Sequence, residues 1–186
     1  MSQITKKAMA SSLKKLLETK TLSKITVSDI TDDCGINRHT FYYHFQDIYD
    51  LIEWIYKSET AKVLQEHDTY DSWQEGVRAL FQYAIENKNF VENTYHSISK
   101  EYLIDHLYQV TYNLLIHVVE EQAQGIHVDT KHKEFIAHFY KYAFVGMAID
   151  WIDQGMKSDY ENIITDLSTL IEGDFHKALL RFERKY

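Results

Sequence analysis

The segment Thr26–Phe45, TVSDITDDCGINRHTFYYHF, leaves few options for local structure. Thr26 is suited to N-cap a helix, with Asp29 three residues on as the reciprocal acid of a capping box. Ile30 supplies an inward apolar anchor and Cys34 a small one. Gly35 stops the helix, because glycine adopts the left-handed backbone beyond a helix end at little cost. Ile36 plugs the turn, and Asn37 caps a second helix from Arg38 to about His44. That second helix has only Phe41 and Phe45, four apart, as an apolar stripe. Its other side chains, Arg38, His39, Thr40, Tyr42, Tyr43 and His44, are donors or aromatics without an internal task. A donor-rich helix braced by a second one is the helix-turn-helix arrangement that enters the major groove of DNA.

The remainder of the chain reads as helix throughout. There is no proline in 186 residues and only six glycines, so long helices run uninterrupted and an all-β fold lacks its turn residues. Helical periodicity predicts a helix over residues 5–20, one from Ile48 to about Gln65 capped by Asp47, and one over 72–86. A polar break at 66–71 separates the last two. A short helix to about His96 follows, then long helices near Ser99–Ala123 and Thr130–Gln154, closed by Gly125 and Gly155. The last helix is expected as one piece from Ser158 to Arg184, carrying the stripe Ile164, Leu167, Ile171, Phe175, Ala178 and Phe182. The expected fold is therefore all-α, with about nine helices. Residues 1–46 form a three-helix helix-turn-helix DNA-binding domain, and residues 47–186 a C-terminal regulatory and dimerisation bundle.

Charge is divided unevenly. Residues 1–50 carry seven basic against six acidic side chains, while residues 51–186 carry 13 basic against 22 acidic. An acidic body limits nonspecific association with phosphates, and the relatively basic N-terminal part suffices for DNA if a symmetric dimer supplies two copies. The single cysteine excludes an intramolecular disulfide and suits a reducing cytoplasm. No stretch approaches the roughly 18 uncharged apolar residues of a membrane span, so a cytoplasmic location is expected.

The order of capped helix, Gly-Ile-Asn turn, Arg-x-Thr-Phe-Tyr-x-x-Phe and an acidic-apolar helix resembles the TetR family of bacterial transcription regulators over about the first fifty-five residues. The resemblance implies DNA contacts by Tyr42, Tyr43 and His44 to phosphates and sugars, and by Arg38, His39 and Thr40 to base edges. Lys24 and Thr26 are further candidates for phosphate, through the N-terminal amides of the first short helix. One departure stands out: similar proteins often carry a lysine early in the fourth helix, where this chain has Ile48. That implies weaker binding, or compensation by Lys6 and Lys7. The resemblance also implies a homodimer joined through the last two helices of each chain. The run FYYHFQDIYDLIEWIY further resembles the subgroup that activates dihydroxyacetone-kinase operons. In that case the partner would be a kinase-like co-activator protein, and otherwise a small-molecule effector.

The 21 aromatics beyond residue 50 suggest an effector pocket between helices five to eight, with Tyr102, His106, Tyr112, His138 and Tyr142 as polar handles. Core packing is the competing reading for each. The ten histidines show no HxxxH spacing and the lone cysteine no CxxC, so no metal or cofactor is expected. Two other classes are weighed against this. A ligand carrier without DNA activity leaves the donors of Arg38–His44 unused, and an enzyme lacks a nucleophile–base pair at useful spacing.

Overall fold

The computed structural model describes residues 2–65, 69–97 and 100–183. Residues 66–68 of the expected polar break, Ser99 and Arg184 lie outside the described residues. The α-helices in chain order are α1 (Ser2–Leu16), α2 (Val27–Asp33), α3 (Arg38–His44), α4 (Ile48–Gln65) and α5 (Trp73–Glu86), followed by α6 (Lys88–Tyr95), α7 (Lys100–Gln122), α8 (Thr130–Asp153), α9 (Tyr160–Ile171) and α10 (Asp174–Phe182). A single 3-10 turn, Leu22–Lys24, joins α1 to α2. No strand occurs among the described residues.

The nine expected helices are present, with the last one broken in two. Gly173 takes φ 69° between α9 and α10, and its N–H donates to the Tyr70 hydroxyl at 3.3 Å. The first helix also ends earlier than its periodicity suggests: α1 stops at Leu16, and looser turns carry the chain to Lys20.

The chain forms two compact units. The first comprises Met1–Glu59 and Glu86–His106, the second Thr60–Ile85 and Leu107–Tyr186. In the first unit Met9, Leu13, Ile30, Phe41, Leu51, Ile52 and Ile55 are sealed from solvent. At about 1.5–3 kcal/mol for each fully buried large apolar side chain, this core supplies the main drive to fix α1, α2 and α3 against the start of α4. Polar ties add register. Ser12 Oγ donates to the Ile30 carbonyl at 3.2 Å, linking α1 to α2. Lys14 pairs with Glu59 of α4 and also donates to Asn87 Oδ1 at 2.8 Å, just before α6. Asn93 of α6 accepts the Leu22 N–H at 3.3 Å, in the turn that leads into α2.

The second unit packs around Trp73, Leu114, Leu115, Val118, Phe144, Trp151, Phe175 and Leu179. Trp73 of α5 meets Phe144 of α8 at 5.4 Å, and Phe81 meets Trp151 edge-on at 4.9 Å. Arg78 of α5 makes a two-pronged pair with Glu161 of α9 at 2.7 and 3.1 Å. Beyond the end of α8, Gly155 at φ 75° turns the chain, and the Trp151 indole N–H donates to the Ser158 carbonyl at 2.9 Å. No helix among the described residues is long and apolar enough to cross a membrane.

Candidate nucleic-acid interface

Local hydrogen bonds build the two short helices much as the sequence dictates. At α2, Thr26 Oγ accepts the Asp29 N–H at 3.2 Å and the Thr26 N–H donates to Asp29 Oδ2 at 2.8 Å, completing the capping box. Lys20 lies 2.8 Å from the same carboxylate. The bond from Lys20, followed by those from Thr26, holds Asp29 well below the usual carboxylate range. Past the other end of α2, Gly35 takes φ 68°. Its N–H bonds the Asp32 carbonyl at 3.3 Å, and the Ile36 N–H reaches the Thr31 carbonyl at 2.9 Å. This pair of bonds is a Schellman closure, satisfying carbonyls that the helix end would leave unpaired. Cys34 donates its thiol to the Ile30 carbonyl at 2.7 Å, and burial raises its pKa, the opposite of what a nucleophile requires.

The turn delivers α3 in a fixed orientation. Asn37 Oδ1 accepts from the Thr40 N–H at 2.8 Å and from its hydroxyl at 3.0 Å. Phe41 is fully buried, 5.9 Å from Phe45, and Phe45 in turn meets Trp54 of α4 at 5.9 Å. With Phe41 and Phe45 pinned inward, the helical period turns Arg38, His39, Tyr42 and Tyr43 outward. Tyr42 is 51% and Tyr43 79% exposed, large for aromatic rings on a helix one side of which is packed. The Arg38 guanidinium lies 6.0 Å from the Tyr42 ring centre, and Tyr43 stands edge-on to the half-buried His44 at 4.9 Å.

Six of the eight expected DNA-contacting residues thus lie together on α3: Arg38, His39, Tyr42 and Tyr43 point outward, while Thr40 and His44 are half-buried. Thr40 spends its hydroxyl on Asn37, which leaves it less free for a base edge. Thr26 is exposed, but its hydroxyl is committed to Asp29, whose carboxylate also opposes a phosphate at that helix end. Lys24 is exposed at the end of the 3-10 turn. As for replacing the lysine that Ile48 displaces, the Lys6 ammonium lies over Phe45 and Trp54 at 5.2 and 5.7 Å, whereas Lys7 is exposed.

The five residues expected to form an effector pocket separate into two groups. In the first unit, Tyr102 stacks on Tyr49 at 6.4 Å and His106 on Tyr56 at 5.6 Å. Burial, followed by the Lys57 ammonium, pulls His106 down to about 4, with Glu53 opposing. Burial raises the Tyr56 hydroxyl beyond its usual range. In the second unit, Tyr112, His138 and Tyr142 gather around Lys141, a residue that the sequence reading passed over. The signal was there: Ala137, Lys141, Phe144 and Ala148 share one helical face, so the lysine stands in an apolar register. None of the five lines the apolar cavity of about 50 Å3 in the second unit, whose walls include Val77, Phe81, Phe144 and Trp151. Among the described residues, no group of three or more His, Cys, Asp or Glu side chains is placed to hold a metal ion.

Comparison with known proteins decides what this arrangement belongs to. Residues 12–55 match the bacterial regulatory proteins of the tetR family, and residues 71–173 match the transcriptional regulator C-terminal region TetR_C_8. The chain belongs to the TetR family. It is a DNA-binding transcription regulator and not an enzyme. It is 28% identical over 176 residues to the HTH-type dhaKLM operon transcriptional activator DhaS of Lactococcus lactis subsp. lactis (strain IL1403), covering 92% of each chain. A solved structure of the dihydroxyacetone kinase operon activator DhaS matches with a TM-score of 0.74 at 27% identity, covering 97% of this chain and 99% of that one. The repressor NalD of Pseudomonas aeruginosa shares the fold alone, with a TM-score of 0.61 at 14% identity over the whole of both chains.

Proposed function

We propose that the protein acts in the cytoplasm as a homodimer that reads a specific operator through α3 and receives its signal through residues 47–186. The observation that carries this reading is the outward set Arg38, His39, Tyr42 and Tyr43 on a helix locked by the buried Phe41. Arg38 and His39 stand at the N-terminal end of α3, where a recognition helix reaches base edges, and the tyrosines follow one turn later, where phosphates and sugars pass. Pairing of two copies is supported by apolar side chains left open on the last helices: Phe135 at 58%, Phe139 at 63% and Leu170 at 71% exposure. A symmetric dimer covers such a surface and sets its two readers about 34–36 Å apart, one turn of DNA.

The likeness to DhaS favours one finer reading, activation of a dihydroxyacetone-kinase operon together with a kinase-like co-activator protein. Loss of the gene should then lower transcription of the neighbouring operon, whereas a repressor relieved by a small ligand gives a rise.

Gel-shift titrations on the DNA upstream of the gene test the reader. Arg38→Ala should change sequence preference by about 1–3 kcal/mol of discrimination, and Tyr42→Ala should weaken binding to all sequences alike. Unchanged operator affinity in both variants refutes the assignment.

A further inference from the structure

The lysines of residues 1–24 sort into groups by what they touch. Lys14 pairs with Glu59, Lys15 with Asp33 and Lys20 with Asp29, so the charge of each is answered by an acid. Lys7 and Lys24 are exposed and carry no ion pair among the described residues. Lys6 fits neither group. It is half-buried, and its ammonium lies over two rings, 5.2 Å from the centre of Phe45 and 5.7 Å from that of Trp54.

These are the rings that fix the end of α3. Phe45 is the residue at which the helix stops, and its N–H closes the last turn on the Phe41 carbonyl at 2.9 Å. Its ring lies 5.9 Å from that of the fully buried Phe41. It also lies 5.9 Å from Trp54 of α4, with the two planes 61° apart. Both centres are within the roughly 6 Å over which a ring attracts a cation. The apolar hold on α1 begins at Met9, so Lys6 adds a contact about one turn nearer the N-terminus. One charge thereby ties α1 to the end of α3 and to α4.

We propose that Lys6 is a positioning residue for the DNA reader. Its charge, held on Phe45 and Trp54, steadies the angle at which α3 meets the groove. It is not a stand-in for the lysine that Ile48 displaces. A reader held in its binding orientation for a larger fraction of the time binds with proportionally higher apparent affinity. The attraction is lost with the charge but kept by arginine, whose guanidinium also stacks on rings. The proposal rests on the reading of α3 as the recognition helix.

The test is a titration of the full chain with fluorescently labelled DNA from upstream of its gene, between about 50 and 200 mM salt. Lys6→Met should lower affinity about three- to tenfold at every salt concentration. The slope of log affinity against log salt should stay that of the parent protein, since no phosphate contact is lost. Lys6→Arg should restore affinity to within about twofold. In a Trp54→Leu background, Lys6→Met should have a clearly smaller effect, because part of what it acts through is gone. A slope lowered by about 1 or more in Lys6→Met makes the residue a phosphate contact and overturns the proposal. Unchanged affinity, failure of arginine to rescue, or an undiminished loss in the Trp54→Leu protein overturns it as well. Should Trp54→Leu fail to fold, the two Lys6 variants decide alone. Arg38→Ala and Tyr42→Ala in the same titration keep the two readings apart. If those two leave affinity unchanged, α3 is not the reader; if they lower it and Lys6→Met does not, the positioning role alone fails.

Discussion

His106 offers a quantitative test of how α7 is held in the first unit. It is 8% exposed and stacked on Tyr56 of α4 at 5.6 Å. Burial is the main reason its pKa falls from 6.5 to about 4. The folded state therefore prefers the neutral imidazole, and the unfolded chain binds the extra proton first. Stability from this preference is complete above pH 6.5, falls as pH drops from about 6.5 to about 4, and is flat below, where both states are charged. At about 1.4 kcal/mol per pH unit the full loss is about 3 kcal/mol, of which about 2 kcal/mol is gone by pH 5. Urea unfolding followed by tryptophan fluorescence, at one fixed protein concentration from pH 7.5 to 4.5, measures it directly. His106→Phe keeps a ring on Tyr56 and cannot titrate, so its stability should fall less steeply over that range. The comparison rests on slopes, which removes any constant cost of the substitution. The lowered carboxyls of Asp29, Asp33 and Glu161 contribute equally to both proteins. Parallel curves for the two proteins would refute the account.

Thr26→Ala removes the hydroxyl that caps α2 and should cost about 1 kcal/mol, read as a lower urea midpoint with an unchanged slope. Gly35→Ala meets no atom within 4 Å of the added methyl, so only the left-handed backbone is penalised. The expected loss is about 1–2 kcal/mol, and a neutral result in thermal unfolding would mean the turn relaxes away from φ 68°.

The helix-turn-helix was legible because its determinants are local. Thr26 with Asp29, Gly35 and Asn37 each act within three or four residues, and each makes the bond its position calls for. The break at Gly173 was not, because the apolar stripe keeps its phase through it: Ile164, Leu167, Ile171, Phe175 and Leu179 are all buried on either side. A pattern that continues in register hides an interruption, and only the glycine marks it. The proposed effector set shows a second limit. Tyr102, His106 and Tyr112 share one helix, and periodicity reveals which way a residue faces. It does not reveal that the helix passes from one compact unit to the other between His106 and Leu107. Lys141 was overlooked because a lysine is ordinarily a surface residue; its apolar register on α8 was the only warning.

The composition of the first unit bears on how a signal reaches DNA. It is not the three-helix reader alone, since α6 and the start of α7 fold with it. Lys14 of α1 holds both Glu59 and Asn87, and Asn93 of α6 holds the turn that ends just before the Thr26 cap. Moving α6 therefore acts on the element that aims α2 and, through the Gly35 closure, α3. Such hydrogen bonds contribute about 0.5–1.5 kcal/mol each, more where a charge takes part. Coupling between sites in regulated proteins typically amounts to about 1–3 kcal/mol. Breaking two or three of these ties would match such a coupling in magnitude.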